Sequence, residues 1–299
     1  MLIIAGTVPV PELELITGPV SIAGDALTID GQKISCTQGT AAMIGAALAT
    51  TDYLKLEPPV ALLAGDVGQG KGSRLIYEYL IDNISGLNPE VLALHYWLPD
   101  MSLTRRLCRA VDALSNRPIM IADAASMYSA KGAGLGASFD IFTPDASEIA
   151  FLADPEATHP AYINRHLFDT DETQAPQLAL EAYKNRGAAK LLLVKGSIDY
   201  IIQEGELLAT VDEPDVPALE AIGGTGDTIT GLVAALVYTG LQPHEAAVIA
   251  ARANRVAGKL ANATPATKVS EVIAQFPEVF RKNLCQWTGV CYNTGGNTL

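Results

Sequence analysis

Gly223-Gly224-Thr225-Gly226-Asp227-Thr228 runs without a break into Ile229-Thr230-Gly231-Leu232-Val233-Ala234-Ala235-Leu236-Val237-Tyr238. The first six residues read as a glycine-rich turn and the rest as a clean helix with Gly231 early in it. Glycines let the backbone approach a ligand closely. A helix start offers free N–H groups and the positive end of the dipole, so the junction suits an anion such as a nucleotide phosphate. Asp227 has two readings there. It can cap the helix, since Asp is favourable in a first turn. A carboxylate beside a phosphate site can also take the proton from a substrate hydroxyl as that oxygen attacks the terminal phosphoryl group.

Outward from this junction, short apolar runs alternate with longer amphipathic stretches, the pattern of parallel strands joined by crossover helices. Strands are expected at Val60–Ala64, Val91–Tyr96, Pro118–Ala122, Phe139–Thr143 and Lys190–Lys195. Leu103, Leu107, Val111 and Leu114 recur at helical spacing after Ser102, a candidate cap, and Leu178 to Arg186 is a helix stopped by Gly187. Tyr200–Gln203 and Leu207–Val211 flank Glu204-Gly205-Glu206 and predict a hairpin over 198–211. Helices follow at Thr225–Tyr238, Pro243–Ala263 and Lys268–Arg281. Ala153 to Ala175 is polar and reads as a long loop. No repeat or linker marks a boundary, so residues 1–285 are expected to form one α/β domain with a mostly parallel central sheet. Residues 286–299 have little pattern and are expected to be a tail.

Composition narrows the class. Of 299 residues, 49% are hydrophobic and 18% charged, enough apolar material for a large core without staples. Cys36, Cys108, Cys285 and Cys291 show neither metal spacing nor a disulfide framework, so reduced thiols and a cytoplasmic setting are expected. The first basic residue is Lys33, so the apolar start Met1 to Ala5 lacks the charged lead of a secretory signal. No apolar run approaches the roughly 20 residues of a membrane span. A net charge of −13 argues against nucleic acid as a partner but permits a small anion at one helix start, because distant charges are screened.

Gly-Thr-Gly-Asp opening a small-residue helix resembles the catalytic motif of the ribokinase-like superfamily. The doubled Gly223-Gly224, the run Gly231-Leu232-Val233-Ala234-Ala235-Leu236, then Gly240, Ala246-Ala247 and Ala257-Gly258 resemble one branch of it, the NAD(P)H-hydrate dehydratases. Thr143-Pro144-Asp145-Ala146-Ser147-Glu148 falls where that branch has Thr-Pro-His-Pro-Gly-Glu and the sugar and vitamin kinases have Asn-x-x-Glu. Leu193-Val194-Lys195-Gly196-Ser197 resembles the strand that ends in Lys-Gly before the hairpin. Two positions depart: Ala125 replaces the second acid of the branch's Asp-Ala-Asp-Ala-Leu, and Asp145 replaces its histidine. The match covers roughly Pro118 to Lys259; the first 115 residues match loosely, through Gly39 to Leu48 and Gly65 to Gly72.

The resemblance implies a three-layer α/β/α fold, ADP or ATP as cofactor, and Asp227 as catalytic base. It implies nucleotide-phosphate contacts from Gly223, Gly224, Thr225, Gly226, Lys195 and Gly196. Glu148 is implied as an outer-sphere holder of Mg²⁺ waters, against the plain reading of a helix-start cap. Asp123 and Asp145 are substrate candidates, with loop capping as the alternative for Asp123 at its strand end. A homo-oligomer is implied as well. Lys71, in Gly68-Gln69-Gly70-Lys71-Gly72-Ser73, lacks Walker spacing, which leaves Gly70 and Gly72 as candidate substrate-loop glycines. His95, His159, His166 and His244 read as structural or surface residues, and Tyr96 and Trp97 as core or rim packing.

Three functions remain open at this point. One is dehydration of hydrated NADH or NADPH, by phosphorylation of the added hydroxyl and loss of phosphate. A second is phosphoryl transfer to a sugar or vitamin hydroxyl. The third is a non-catalytic nucleotide sensor, which would gain nothing from a carboxylate at the phosphate.

Overall fold

The computed structural model describes residues 1–157 and 174–289. Twelve strands are present among them: β1 (Leu2–Val8), β2 (Ile16–Pro19), β3 (Ser21–Ala23), β4 (Ala26–Ile29), β5 (Gln32–Ser35), β6 (Val60–Gly65), β7 (Val91–His95), β8 (Ile119–Asp123), β9 (Ile141–Phe142), β10 (Leu191–Val194), β11 (Asp199–Gln203) and β12 (Glu206–Val211). Nine of them form one sheet in the order β12-β11-β10-β9-β8-β7-β1-β6-β2. Pairing is parallel from β6 through β1, β7, β8 and β9 to β10, and antiparallel at both edges. The expected hairpin is β11–β12, which lies at one edge.

Helices cover both faces: α1 (Gly39–Tyr53), α2 (Lys71–Leu87), α3 (Met101–Asp112), α4 (Ala125–Gly132), α5 (Ala146–Ala153), α6 (Ala175–Lys184), α7 (Thr225–Tyr238), α8 (Pro243–Leu260), α9 (Val269–Ile273) and α10 (Phe276–Thr288). Strand periodicity assigns alternate side chains to two cores. Leu2 and Ile4 of β1 pack with α1, α7, α8 and α10, whereas Ile3 and Ala5 pack with α2 to α6. The result is the three-layer, ribokinase-like α/β/α architecture. A Cβ on Gly231 would lie 2.1 Å from the Met43 carbonyl oxygen, so this glycine is what lets α7 lie against α1.

Several expectations are corrected. Asp100, not Ser102, caps α3, accepting the Leu103 N–H at 2.9 Å. The single helix expected over Lys268–Arg281 is two, α9 and α10, because Pro277 brings no N–H to a continuous ladder. α8 stops at Leu260 rather than Ala263, just before Asn262 takes a positive φ of 50°. α10 continues through Thr288, so the first part of the expected tail is helical. Cys36 and Cys108 are buried and free, but Cys285 is disulfide-bonded, against the expectation of reduced thiols. The polar stretch expected as a long loop lies mostly outside the described residues, as do His159 and His166. No helix among the described residues is long and apolar enough to cross a membrane.

The N-terminal apolar run is a central strand, β1, flanked by β6 and β7. The smaller sheet β3-β4-β5 and helices α1 and α2 were not expected.

Candidate active site

The parallel strands end on one rim of the sheet, where ligands bind in open α/β folds. α7 starts at that rim. Gly224 precedes it at φ 97°, and a Cβ there would meet the Gln38 Cα at 2.9 Å, so glycine is required twice over. Thr225 Oγ1 donates to the Leu219 carbonyl at 2.7 Å and pins the turn. The Thr228 N–H returns to the Gly224 carbonyl, while the N–H groups of Gly226 and Asp227 have no protein acceptor among the described residues. They are open donors at the positive end of the helix.

Asp227 does not cap its own helix. Its Oδ2 accepts the Gly39 N–H at 2.7 Å, and its Oδ1 lies 2.9 Å from His95 Nε2. Burial pushes the carboxyl up, but the His95 contact, Lys195 and the Gly39 N–H outweigh it and hold it below the usual carboxylate range. Asp227 is thus an ionised group held from two sides at the helix start.

Of the two readings given for His95, structural or surface, the surface one is excluded. The residue ends β7, in register with Asp123 at the end of β8, and is fully buried beneath Asp227. A lone imidazole closing an apolar strand at the ligand rim was the signal available in the sequence. Tyr96 follows at φ 51°, and Thr7 Oγ1 donates to its carbonyl. Its ring is half exposed at the rim of the cleft and packs edge-on against His95. Burial and the nearby Asp227, Glu148 and Asp123 push its hydroxyl up to about 12. Trp97 does pack, stacked on Tyr77 with ring centroids 4.2 Å apart.

Lys195 and Asp123 form a buried pair. The ammonium sits 3.0 Å from each Asp123 oxygen, and Thr230 Oγ1 donates to the same carboxylate. Burial disfavours the charge on Lys195, but Asp123, Glu148, Asp227 and Asp145 overcome this and keep it firmly protonated. A Cβ on Gly226 would lie 3.7 Å from Lys195 Nζ, which places the cation beside the open N–H groups. His95, Asp123 and Asp227 offer three donor atoms within 4.8 Å of one another, but the Lys195 ammonium already serves as the cation of that cluster.

Asp145 and Glu148 form a reciprocal capping box on α5. Asp145 Oδ1 accepts the Glu148 N–H at 2.8 Å, and Glu148 Oε2 accepts the Asp145 N–H at 2.9 Å. Tyr128 donates to Glu148 Oε1 at 3.0 Å. Burial, then Asp145 and Asp123, raise the Glu148 carboxyl well above its usual range.

Gly196 is held from behind. Arg255 Nε donates to Asp199 Oδ2 at 2.9 Å, and its Nη2 donates to the carbonyls of Gly196 and Ser197. The residues named for the site converge on one cleft of about 520 Å³ lined by Tyr96, Asp123, Asp145, Glu148, Lys195, Gly196, Thr225, Gly226 and Asp227. Gly223 and Gly224 lie just behind it, against Gln38.

The loop at Gly68–Ser73 is a different case. The Asp66 carboxylate accepts the N–H groups of Gly68, Gln69, Gly70 and Ser73, filling the start of α2 with a built-in anion. A Cβ on Gly72 would lie 2.3 Å from the Gly65 carbonyl, so close packing against β6 requires glycine there.

A parallel sheet with a carboxylate and free N–H groups at one helix start, next to a buried lysine, defines a ribokinase-like enzyme. More narrowly, the chain belongs to the NAD(P)H-hydrate dehydratase family, whose profile matches residues 102–276. An uncharacterised protein of Methanocaldococcus jannaschii is 36% identical over 242 residues, covering 81% of this chain and all of that one. An ADP-dependent (S)-NAD(P)H-hydrate dehydratase of Haloterrigena turkmenica is 28% identical over 177 residues, 58% of each chain. The crystal structure of the ADP/ATP-dependent NAD(P)H-hydrate dehydratase of Bacillus subtilis, co-crystallised with ATP and Mg²⁺, superposes with a TM-score of 0.51 at 16% identity. It covers 81% of this chain and 83% of that one, and shows the shared fold.

Proposed function

We propose that this chain dehydrates hydrated NADH or NADPH with ADP or ATP as phosphoryl donor. The observation that carries the reading is Asp227: an ionised carboxylate turned away from capping its helix, beside free N–H groups that suit a terminal phosphate. In this reading the terminal phosphate sits on the N–H groups of Gly226 and Asp227, with Gly223 and Gly224 allowing its close approach and Thr225 fixing the turn. Lys195 compensates charge beside it, and Gly196, held by Arg255, forms the facing wall. Asp227 takes the proton of the added hydroxyl as its oxygen attacks phosphorus, and loss of phosphate from the phosphorylated ring restores the dihydropyridine.

Mg²⁺ fits the acidic wall of the cleft. Asp123, Asp145 and Glu148 crowd one another enough to raise Glu148, with Lys195 the cation among them. Glu148 and Asp145 would hold the ion through its waters, and the ion would neutralise phosphate charge. Asp123, with both oxygens on Lys195, serves to fix that lysine more directly than to touch substrate.

The test is incubation of the protein with hydrated NADH and either nucleotide, following recovery of absorbance from the reduced ring. Recovery with ADP or ATP, and none without, is expected. Ala125 and Asp145, where the branch carries a second acid and a histidine, favour one rival: a kinase that stops after phosphorylating a sugar or vitamin hydroxyl. Nucleotide consumption without ring recovery would identify it. The reading also carries a cytoplasmic setting and a homo-oligomer, which size-exclusion chromatography with light scattering checks.

A further inference from the structure

The hydrogen bonds around His95 determine where its protons lie. Thr40 Oγ1 has one hydrogen and donates it to the Thr7 carbonyl at 2.7 Å. Because a carbonyl oxygen cannot donate, both contacts of this hydroxyl are hydrogen bonds only when His95 Nδ1, 2.9 Å away, carries a hydrogen of its own. On the other side of the ring, Nε2 lies 2.9 Å from Asp227 Oδ1. An unprotonated nitrogen facing an ionised carboxylate oxygen at that distance would set two lone pairs against each other. One proton must lie between them. The Gly39 N–H meanwhile holds the other oxygen, so the carboxylate is fixed in plane as well as in charge.

We propose that His95 is the positioning partner of Asp227, sharing one proton between Nε2 and Oδ1, so that the proton acceptor of this site is a histidine–aspartate pair. The inference rests on the reading of Asp227 as the acceptor of the hydroxyl proton. In the phosphorylation step the substrate O–H bond breaks and its oxygen forms the new bond to phosphorus. The bond from phosphorus to the departing nucleotide breaks, and the proton passes to Asp227. The pair then holds two mobile protons, on Nε2 and on the carboxyl, and returns one to solvent.

The charged and titratable groups facing the ring come from four elements. They are Asp227 of α7, Asp123 of β8 at 3.8 Å, Lys195 beyond β10 through Asp123, and Tyr96 next to it in the chain. α1 contributes the neutral Thr40.

Nitrogen-15 NMR of histidine-labelled, full-length protein near neutral pH tests the pair without any assay of turnover. Both ring nitrogens of His95 protonated is the expected result, with Nε2 losing its proton in Asp227→Asn. An unprotonated Nε2 in the wild-type protein would overturn the proposal. In kinetics with hydrated NADH, His95→Gln is expected to lower kcat by about 10–100-fold, with KM within about threefold. The acid limb of the kcat/KM profile should move up by about one pH unit, because the carboxylate has lost its cationic partner. A folded His95→Gln or His95→Asn enzyme with an unmoved acid limb would equally overturn it. Should the wild-type protein show both nitrogens protonated but no turnover of hydrated NADH, the pair stands and the substrate reading fails.

Discussion

Asp227 is held by a backbone N–H on one oxygen and an imidazole on the other, and this changes what its replacement should do. Asp227→Asn keeps the size of the side chain, but its amide can present only one acceptor, so either Gly39 or His95 meets a donor instead. A loss of about 1–3 kcal/mol in stability is expected, measured by denaturant titration. Nucleotide affinity should survive or rise, since a negative charge near phosphate is gone. Turnover should fall by at least about 10²-fold, the usual contribution of a general base. Unchanged turnover in a folded protein would remove Asp227 from the mechanism. The distinction between a cap and a base was open in the sequence because both roles use the same residue at the same place. The side chain points away from the N–H groups of its own helix, which rules out the cap.

At the level of elements, the start of α7 is a site because two other segments are brought to it. The loop after β10 supplies Lys195 and Gly196, and α8 supplies Arg255, whose pair with Asp199 is buried under that loop. Arg255→Met would leave the buried Asp199 without its cation, with the Gly196 N–H as its remaining partner, and free the carbonyls of Gly196 and Ser197. A cost of about 3–5 kcal/mol is expected. In protein that still folds, nucleotide affinity should drop at least about tenfold, ~1.4 kcal/mol, by calorimetric titration. Retained affinity would show that the loop needs no such support. Contrast the start of α2, where glycines and a lysine mimic a phosphate loop but Asp66 already occupies the N–H groups. Similar local sequence chemistry therefore leaves open N–H groups at one helix start and a self-satisfied turn at the other.

For the whole molecule, the acidic cleft links stability to pH. Burial with Asp145 and Asp123 raises Glu148 in the folded protein above its unfolded value. The folded state thus binds a proton that the unfolded state has released. This contribution is fully present below the unfolded pKa, about 4.3, and is lost as pH rises through the higher folded one. Glu148→Gln removes that dependence, so its Tm should fall less than that of the wild type between about pH 5 and 8. Parallel Tm curves for the two proteins would show that Glu148 titrates normally. Lys195 limits the effect, being the cation set among these carboxylates.

The alternation of short apolar and longer amphipathic runs was enough to define a parallel α/β sheet, and the glycine-rich turn before Ile229 was enough to locate a helix start with open N–H groups. Both are local signals: periodicity reports which faces are buried, and glycine reports where the backbone must turn tightly. β1 escaped notice because a strand buried on both faces has no alternation and is simply apolar. α1 runs almost wholly apolar, with buried residues nearly all around it, and so lacks a polar face to mark it as a helix. His95 is the clearest case of what sequence could not reach. It stands 132 residues from Asp227, and their contact exists only because β7 and α7 end at the same rim. The sequence by itself determined the fold class and singled out the Asp227 carboxylate. Tertiary structure alone decided that carboxylate's partners, since side chains so far apart in the chain are brought together only by the packing of the sheet between its two helical layers.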